Sequence, residues 1–230
     1  MAGAAPHGGC RVCSGRLSRL FKTGRAPAAY GRAMNSTHTT GDLLAVAAAH
    51  ALPVVRGIPE DRLAAPTPCA EYDVRDLMNH LFHVVVQFQE LAAKRNADFG
   101  GATPDRLGRG ADWRERFAAE TEKLVTAWSA PGADEGRTGA MDMPARTVGA
   151  MVLLDLTVHA WDLARATGQE YAAGAGAGTG EVVGALRAAV AELAPTARSM
   201  GVFGEPVPVP AGATEFERLL AETGRDPYAH

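Results

Sequence analysis

Met151-Val152-Leu153-Leu154-Asp155-Leu156-Thr157-Val158-His159 opens on an apolar run, closes it with an acid, and places a histidine one helical turn beyond that acid. Residues four apart share a face of an α-helix, so Asp155 and His159 project together, in line with Val148, Met151 and Val152. An apolar stripe of this kind must face other helices. The helix is expected to begin near Pro144, since proline is pre-set for a first turn, and to stop near Gly168, a natural terminator.

Working outward, a first helix is expected over Thr40 to Arg56, with Leu43, Leu44, Val46, Ala47, Leu52 and Val55 as its apolar positions and Gly57 and Pro59 beyond its end. A second starts at Asp73, whose carboxylate can cap free N–H groups of the first turn. Asp76 completes a short-armed capping box there, Tyr72 can staple against Leu77, and the helix should continue to Asn96. The third, Trp113 to Trp128, carries Phe117, Thr121, Leu124 and Trp128 on one stripe. After the fourth, Glu170 to Gly180 is a Gly/Ala loop and Glu181 to Leu193 a fifth helix. Phe203 to Pro210 alternates proline with valine and is expected to be extended, with a short helix over Phe216 to Glu222. The pattern predicts an all-α fold: an up-and-down style four-helix bundle with a small C-terminal helical and extended appendage. The expected division is a basic extension over 1–33, a metal-binding bundle over 34–170 and the appendage over 171–230.

Composition narrows the function. A chain of 230 residues with 47% hydrophobic content can bury its own core. No stretch reaches the roughly 20 uninterrupted apolar residues of a spanning helix, so no membrane span is expected. Residues Met1 to Thr40 hold six basic and no acidic side chains. Setting those six of 23 aside leaves 17 basic against 26 acidic residues, a body charge of −9 that argues against a nucleic-acid partner. Three cysteines, an odd number, imply no disulfide framework and suit a reducing, cytoplasmic setting. The extension before Met34 lacks helical periodicity and reads as an upstream start assigned too early, or else as a transit-type segment. Its Cys10-x-x-Cys13 has no second ligand pair to make a zinc knuckle.

The second helix puts His80 among Leu77, Val84 and Leu91, so a histidine from one helix and an acid and a histidine from another are directed into a core. A buried carboxylate needs a cation or donors, and a divalent ion would satisfy it while ordering both imidazoles. Two nitrogens and one oxygen leave coordination positions open, as catalytic sites require. The plain alternative is a core histidine bonded to backbone, with Asp155 paired to Arg146 or Arg165. His83, almost one turn after His80, is a candidate fourth ligand. Cys69 is expected in a loop, Trp161 in packing, and Asp162 is left between a role beside the site and an inter-helix hydrogen bond.

Two strings are specific beyond composition. Thr67-Pro68-Cys69-Ala70-Glu71-Tyr72-Asp73-Val74-Arg75-Asp76-Leu77-Met78-Asn79-His80 resembles the opening helix motif of the mycothiol-dependent maleylpyruvate isomerase-like family of the DinB-like metalloprotein superfamily. Asp155 to Gly168 resembles its second signature, and Thr223-Gly224-Arg225-Asp226-Pro227 resembles the usual ending of an actinobacterial branch. The resemblance implies a DinB-like four-helix bundle with zinc, or alternatively nickel, held by His80, Asp155 and His159. Asp155 departs from the glutamate of the characterised isomerase, and the resemblance implies a branch without the larger C-terminal domain of that enzyme.

Activation of a small thiol such as mycothiol for attack on an electrophile is the activity this implies, by isomerisation or transfer. A metal-dependent hydrolase and a metal or ligand holder without turnover are the rival readings. The expected partners are a small-molecule thiol and an electrophilic substrate, not nucleic acid or membrane.

Overall fold

Hydrogen-bonding side chains at the helix ends set the frame. Thr39 accepts from the Asp42 N–H while the Asp42 carboxylate accepts from the Thr39 N–H, a reciprocal cap that starts α1, Thr40–Gly57. Asp73 accepts from the Asp76 N–H and starts α2, Val74–Ala92. α3 is Trp113–Ser129 and α4 Ala145–Thr167. Gly168 closes α4 in the left-handed region at φ 72°, where its own N–H and that of Gln169 reach back to the carbonyls of Arg165 and Ala164. α5 is Thr179–Ser199, and α6, Glu215–Glu222, begins with a second reciprocal cap between Thr214 and Glu217. The chain is described from a computed structural model over residues 38–108, 110, 112–171 and 176–229. The expected 1–33 extension, with Cys10 and Cys13, lies outside them.

The fold is all-α: the described residues form six helices and one two-stranded hairpin, β1 Arg137–Thr138 pairing antiparallel with β2 Met143–Pro144. The simple up-and-down arrangement does not hold. α1 packs on α3 and α4, and α2 packs on the same two, so α1 and α2 stand diagonally opposite and so do α3 and α4. The connection from Ile58 to Asp73, with its turn at Glu60–Arg62, and the hairpin segment between α3 and α4 make the two crossings. α5 lies against α1, α4 and α6.

Two element ends differ from the sequence reading. α2 stops at Ala92 rather than Asn96, and Lys94 turns to φ 60° so that its ammonium reaches the carbonyls of Ala133 and Glu135. α5 runs through Pro195 to Ser199, because burial of Leu193, Ala194 and Ala197 outweighs the backbone bond that proline removes. α4 is long and apolar enough to cross a membrane, with mean hydropathy 1.2, but 89% of that window is buried inside the protein, as a central bundle helix should be.

At the α1–α4 contact Gly149 leaves no room for a side chain. A Cβ there would lie 2.7 Å from Cγ2 of Thr40 and 3.1 Å from Trp128, and Thr40 is itself anchored to Asp134 by its N–H and its hydroxyl. Gly149→Ala should therefore cost about 1–3 kcal/mol by overpacking. Gly184→Ala, on an open face of α5 with nothing within 4 Å of the new methyl, should gain roughly 0.5–1 kcal/mol. Urea denaturation of the two variants checks the opposite signs.

Candidate metal centre

α2 and α4 pack face to face, and this contact brings His80 of one against Asp155 and His159 of the other. The apolar periodicity of both helices leaves no choice of direction: Leu77, Leu81 and Val84 bury α2 on this side, and Val148, Val152 and Leu156 bury α4. One donor atom from each of the three residues lies within 4.8 Å of the others. The imidazoles of His80 and His159 meet edge to face, centroids 5.2 Å apart, and the Tyr72 ring lies tilted against His80 at 5.5 Å. His159 Nε2 stands 3.7 Å from Asp155 Oδ1. That is too long for a hydrogen bond and close to the roughly 3.4 Å between two ligands on one tetrahedral zinc.

The electrostatics point the same way. Asp155 Oδ2 is buried and has no hydrogen-bond partner, which is costly for a carboxylate oxygen. Burial pushes the Asp155 carboxyl up to about 6, against the opposing influence of His159 and Arg225. Burial, reinforced by His159 and His83, holds the His80 pKa well below the ordinary histidine value, so its ring is neutral and its lone pair free for a cation. An orphaned anionic oxygen beside two imidazoles is a donor set that fits a divalent ion.

Behind His159 lies a second acid. Asp162 is completely buried, and its Oδ2 sits 2.9 Å from His159 Nδ1. Arg225, 3% exposed, clamps the same carboxylate from the C-terminal tail, with Nε 2.9 Å from Oδ1 and Nη2 2.7 Å from Oδ2. Burial raises the Asp162 carboxyl, but the Arg225 charge and the hydrogen bonds from His159 and Arg225 outweigh it and leave the pKa below the usual carboxylate range. A cavity of about 30 Å³, room for a very small group, opens onto the three donors. Leu154, Val158, Val202 and Phe203 form its apolar walls, and Thr223 and Arg225 are its other polar lining.

Residues 44–164 match the family described as Mycothiol maleylpyruvate isomerase N-terminal domain. The chain belongs to this family. It is thereby a member of the DinB-like superfamily, whose bundle the six helices follow. Two relatives from Mycobacterium tuberculosis, Uncharacterized protein Rv0738 of strain H37Rv and Uncharacterized protein MT0763 of strain CDC 1551, are each 30% identical over 171 residues, 72% of this chain and 86% of their own length. No solved structure matches.

For this member of the mycothiol maleylpyruvate isomerase N-terminal domain family, the three residues singled out from sequence come together, and others do not join them. His83 turns away, stacking edge-on to Phe99 and approaching Arg106, with Nδ1 3.5 Å from Nη2. Neither Arg146 nor Arg165 pairs with Asp155. Arg146 lines a separate hollow with His38, Thr40 and Asp134, and Arg165 donates to the Ala229 carbonyl. Trp161 is buried in packing. Cys69 is buried in the loop before α2. Sequence reasoning missed Arg225: it stood in the quoted tail motif, but only the fold brings it beneath α4.

The raised Asp155 carboxyl has a stability consequence. The folded, metal-free protein holds that proton to higher pH than the unfolded chain does, so stability falls as pH rises from about 4 to about 6 and stays reduced above it. Asp155→Asn removes the penalty. In chelator-treated protein it should stabilise the fold by on the order of 1–2 kcal/mol at pH 7 and by little at pH 4. Denaturant titrations at the two pH values check this, and an Asp155–His159 ion pair that stabilised the fold would give the opposite sign.

Proposed function

We propose that His80, Asp155 and His159 hold one divalent ion, zinc or alternatively nickel, and that the protein is a thiol-dependent isomerase or transferase of the mycothiol type acting on a small electrophile. The observation that carries the metal reading is the buried, unpartnered Asp155 oxygen between two imidazoles. The bundle over 34–170 supplies the ligands and the segment 171–230 supplies one wall of the cavity.

A divalent ion at this position supplies Lewis acidity, lowering the pKa of a thiol or polarising an oxygen. The protein's own residues do the rest. Asp155 brings the negative charge that offsets the cation, and the two histidines bring neutral donors from facing helices. Leu154, Val158, Val202 and Phe203 keep bulk water from the donors. A thiol fits this lining better than hydrolysis does, because hydrolysis calls for a general base beside the ligands. The two further polar groups in the lining are engaged: the Thr223 hydroxyl donates to the Leu220 carbonyl, and Arg225 is clamped on Asp162. A thiol needs only to be deprotonated on binding. At about 30 Å³ the cavity offers room at the donors for a group the size of a sulfhydryl.

Purified protein offered zinc should bind one equivalent. His80→Ala and His159→Ala should each lose it, His83→Ala should keep it, and Asp155→Glu should keep it with altered metal preference. Titrating a cobalt-loaded sample with mycothiol should shift its visible bands as a sulfur ligand enters. Metal retention unchanged in both histidine variants would overturn the site, and bands unmoved by mycothiol or simpler thiols would remove the thiol reading while leaving the metal.

A further inference from the structure

Arg225 belongs to the Thr223-Gly224-Arg225-Asp226-Pro227 motif, which lies beyond the matched domain at 44–164 and has no part in the ligand set. Its placement is nonetheless tightly built. Gly224 sits at φ 88° against Gly204, so close that a Cβ on it would come within 2.6 Å of the Gly204 Cα. The Gly204 N–H donates to the Thr223 carbonyl and the Arg225 N–H to the Leu220 carbonyl, fixing the tail on the end of α6. The guanidinium then passes under α4, with Nη1 3.2 Å from the Thr223 hydroxyl and Nε and Nη2 on the Asp162 carboxylate.

We infer that Arg225 is a positioning residue for the metal ligand His159, acting through Asp162, and that docking of the C-terminal tail and binding of a divalent ion at His80, Asp155 and His159 are coupled. The inference rests on the metal reading above. A carboxylate gripped side-on by a guanidinium is ionised and can only accept hydrogen bonds. The proton shared between Asp162 and His159 therefore resides on Nδ1 of the ring, as the hydrogen-bond network assigns it. When the ring is neutral its Nε2 carries the lone pair, and Nε2 is the nitrogen that faces Asp155. Without Arg225 the completely buried Asp162 would lose the two donors that fix its carboxylate, turn toward another donor, and cease to orient the ring. Partners of this kind behind a metal-bound histidine are typically worth about 10–100-fold in affinity.

A tail staple that merely holds the appendage down would share the Arg225–Asp162 contact, so the test must separate stability from affinity. Zinc affinity, by competition with a chromophoric chelator, and the thermal midpoint are measured for the parent, Arg225→Lys, Arg225→Met and the double variant Asp162→Asn/Arg225→Met. The double variant removes both buried charges together, so it escapes the penalty of an unpaired one. Expected are zinc affinity about 10–100-fold weaker in Arg225→Met and in the double variant, with partial recovery in Arg225→Lys. In the parent, zinc should slow amide exchange at Thr223, Gly224 and Arg225 more than in α3, because coupling between two sites is reciprocal. A parent that binds no zinc overturns the metal reading itself. A parent that binds zinc while the folded Arg225 variants match its affinity, or while the tail amides gain no more protection than α3, overturns the positioning role alone.

Discussion

Asp155 projects into the helix bundle with one carboxylate oxygen buried and lacking any hydrogen-bond partner, and with a donor nitrogen from each of two imidazoles within 4.8 Å. Desolvating a carboxylate without compensation works against folding, and the protein surrounds this one with groups that can share a cation but cannot satisfy it by hydrogen bonding alone. His80 is held neutral by burial, and the Nε2 of His159 stops 3.7 Å short. The rest of the structure bends to that constraint. α4 is almost wholly buried so that a turn of its interior face can present the acid and the histidine. Two turns beyond Asp155 the same face of α4 carries Asp162 behind His159, and the tail brings Arg225 to neutralise it.

Diagonal placement of α1 and α2 follows from the same requirement. With α4 packed between them, its two buried sides serve different ends: α1 presses close where Gly149 removes a side chain, and α2 contributes His80. The long connections that create this order carry structure of their own, the Glu60–Arg62 turn and the β1–β2 hairpin, which keeps their crossing defined. α5, α6 and the tail then complete a cavity that the four helices alone leave open, adding Val202, Phe203, Thr223 and Arg225 to its lining.

Much of this was legible in the chain. The 3.6-residue periodicity located the six helices of the described residues, Asp73 and Gly168 marked the ends at which their side chain or backbone does the work, and the four-residue step from Asp155 to His159 showed that both project inward. Other features depend on contacts that no local pattern encodes. Helix adjacency is decided by which apolar stripes fit together, so the up-and-down order read from sequence gave way to the diagonal one. The end of α5 moved past Pro195 because tertiary burial outweighed a local breaker. Asp162 could be placed on α4, but its partner comes from a residue far along the chain, and Arg225 had no periodicity or spacing to betray it.

The central claim is that one divalent ion sits between two imidazoles and one carboxylate in the bundle core. X-ray absorption at the metal edge of zinc-loaded protein, without added thiol, reads that environment directly. The account predicts one ion with two imidazole nitrogens at about 2.0–2.1 Å, the remaining light-atom ligands oxygen, and no sulfur. A sulfur shell, a single imidazole, or zinc that stays in solution would contradict it.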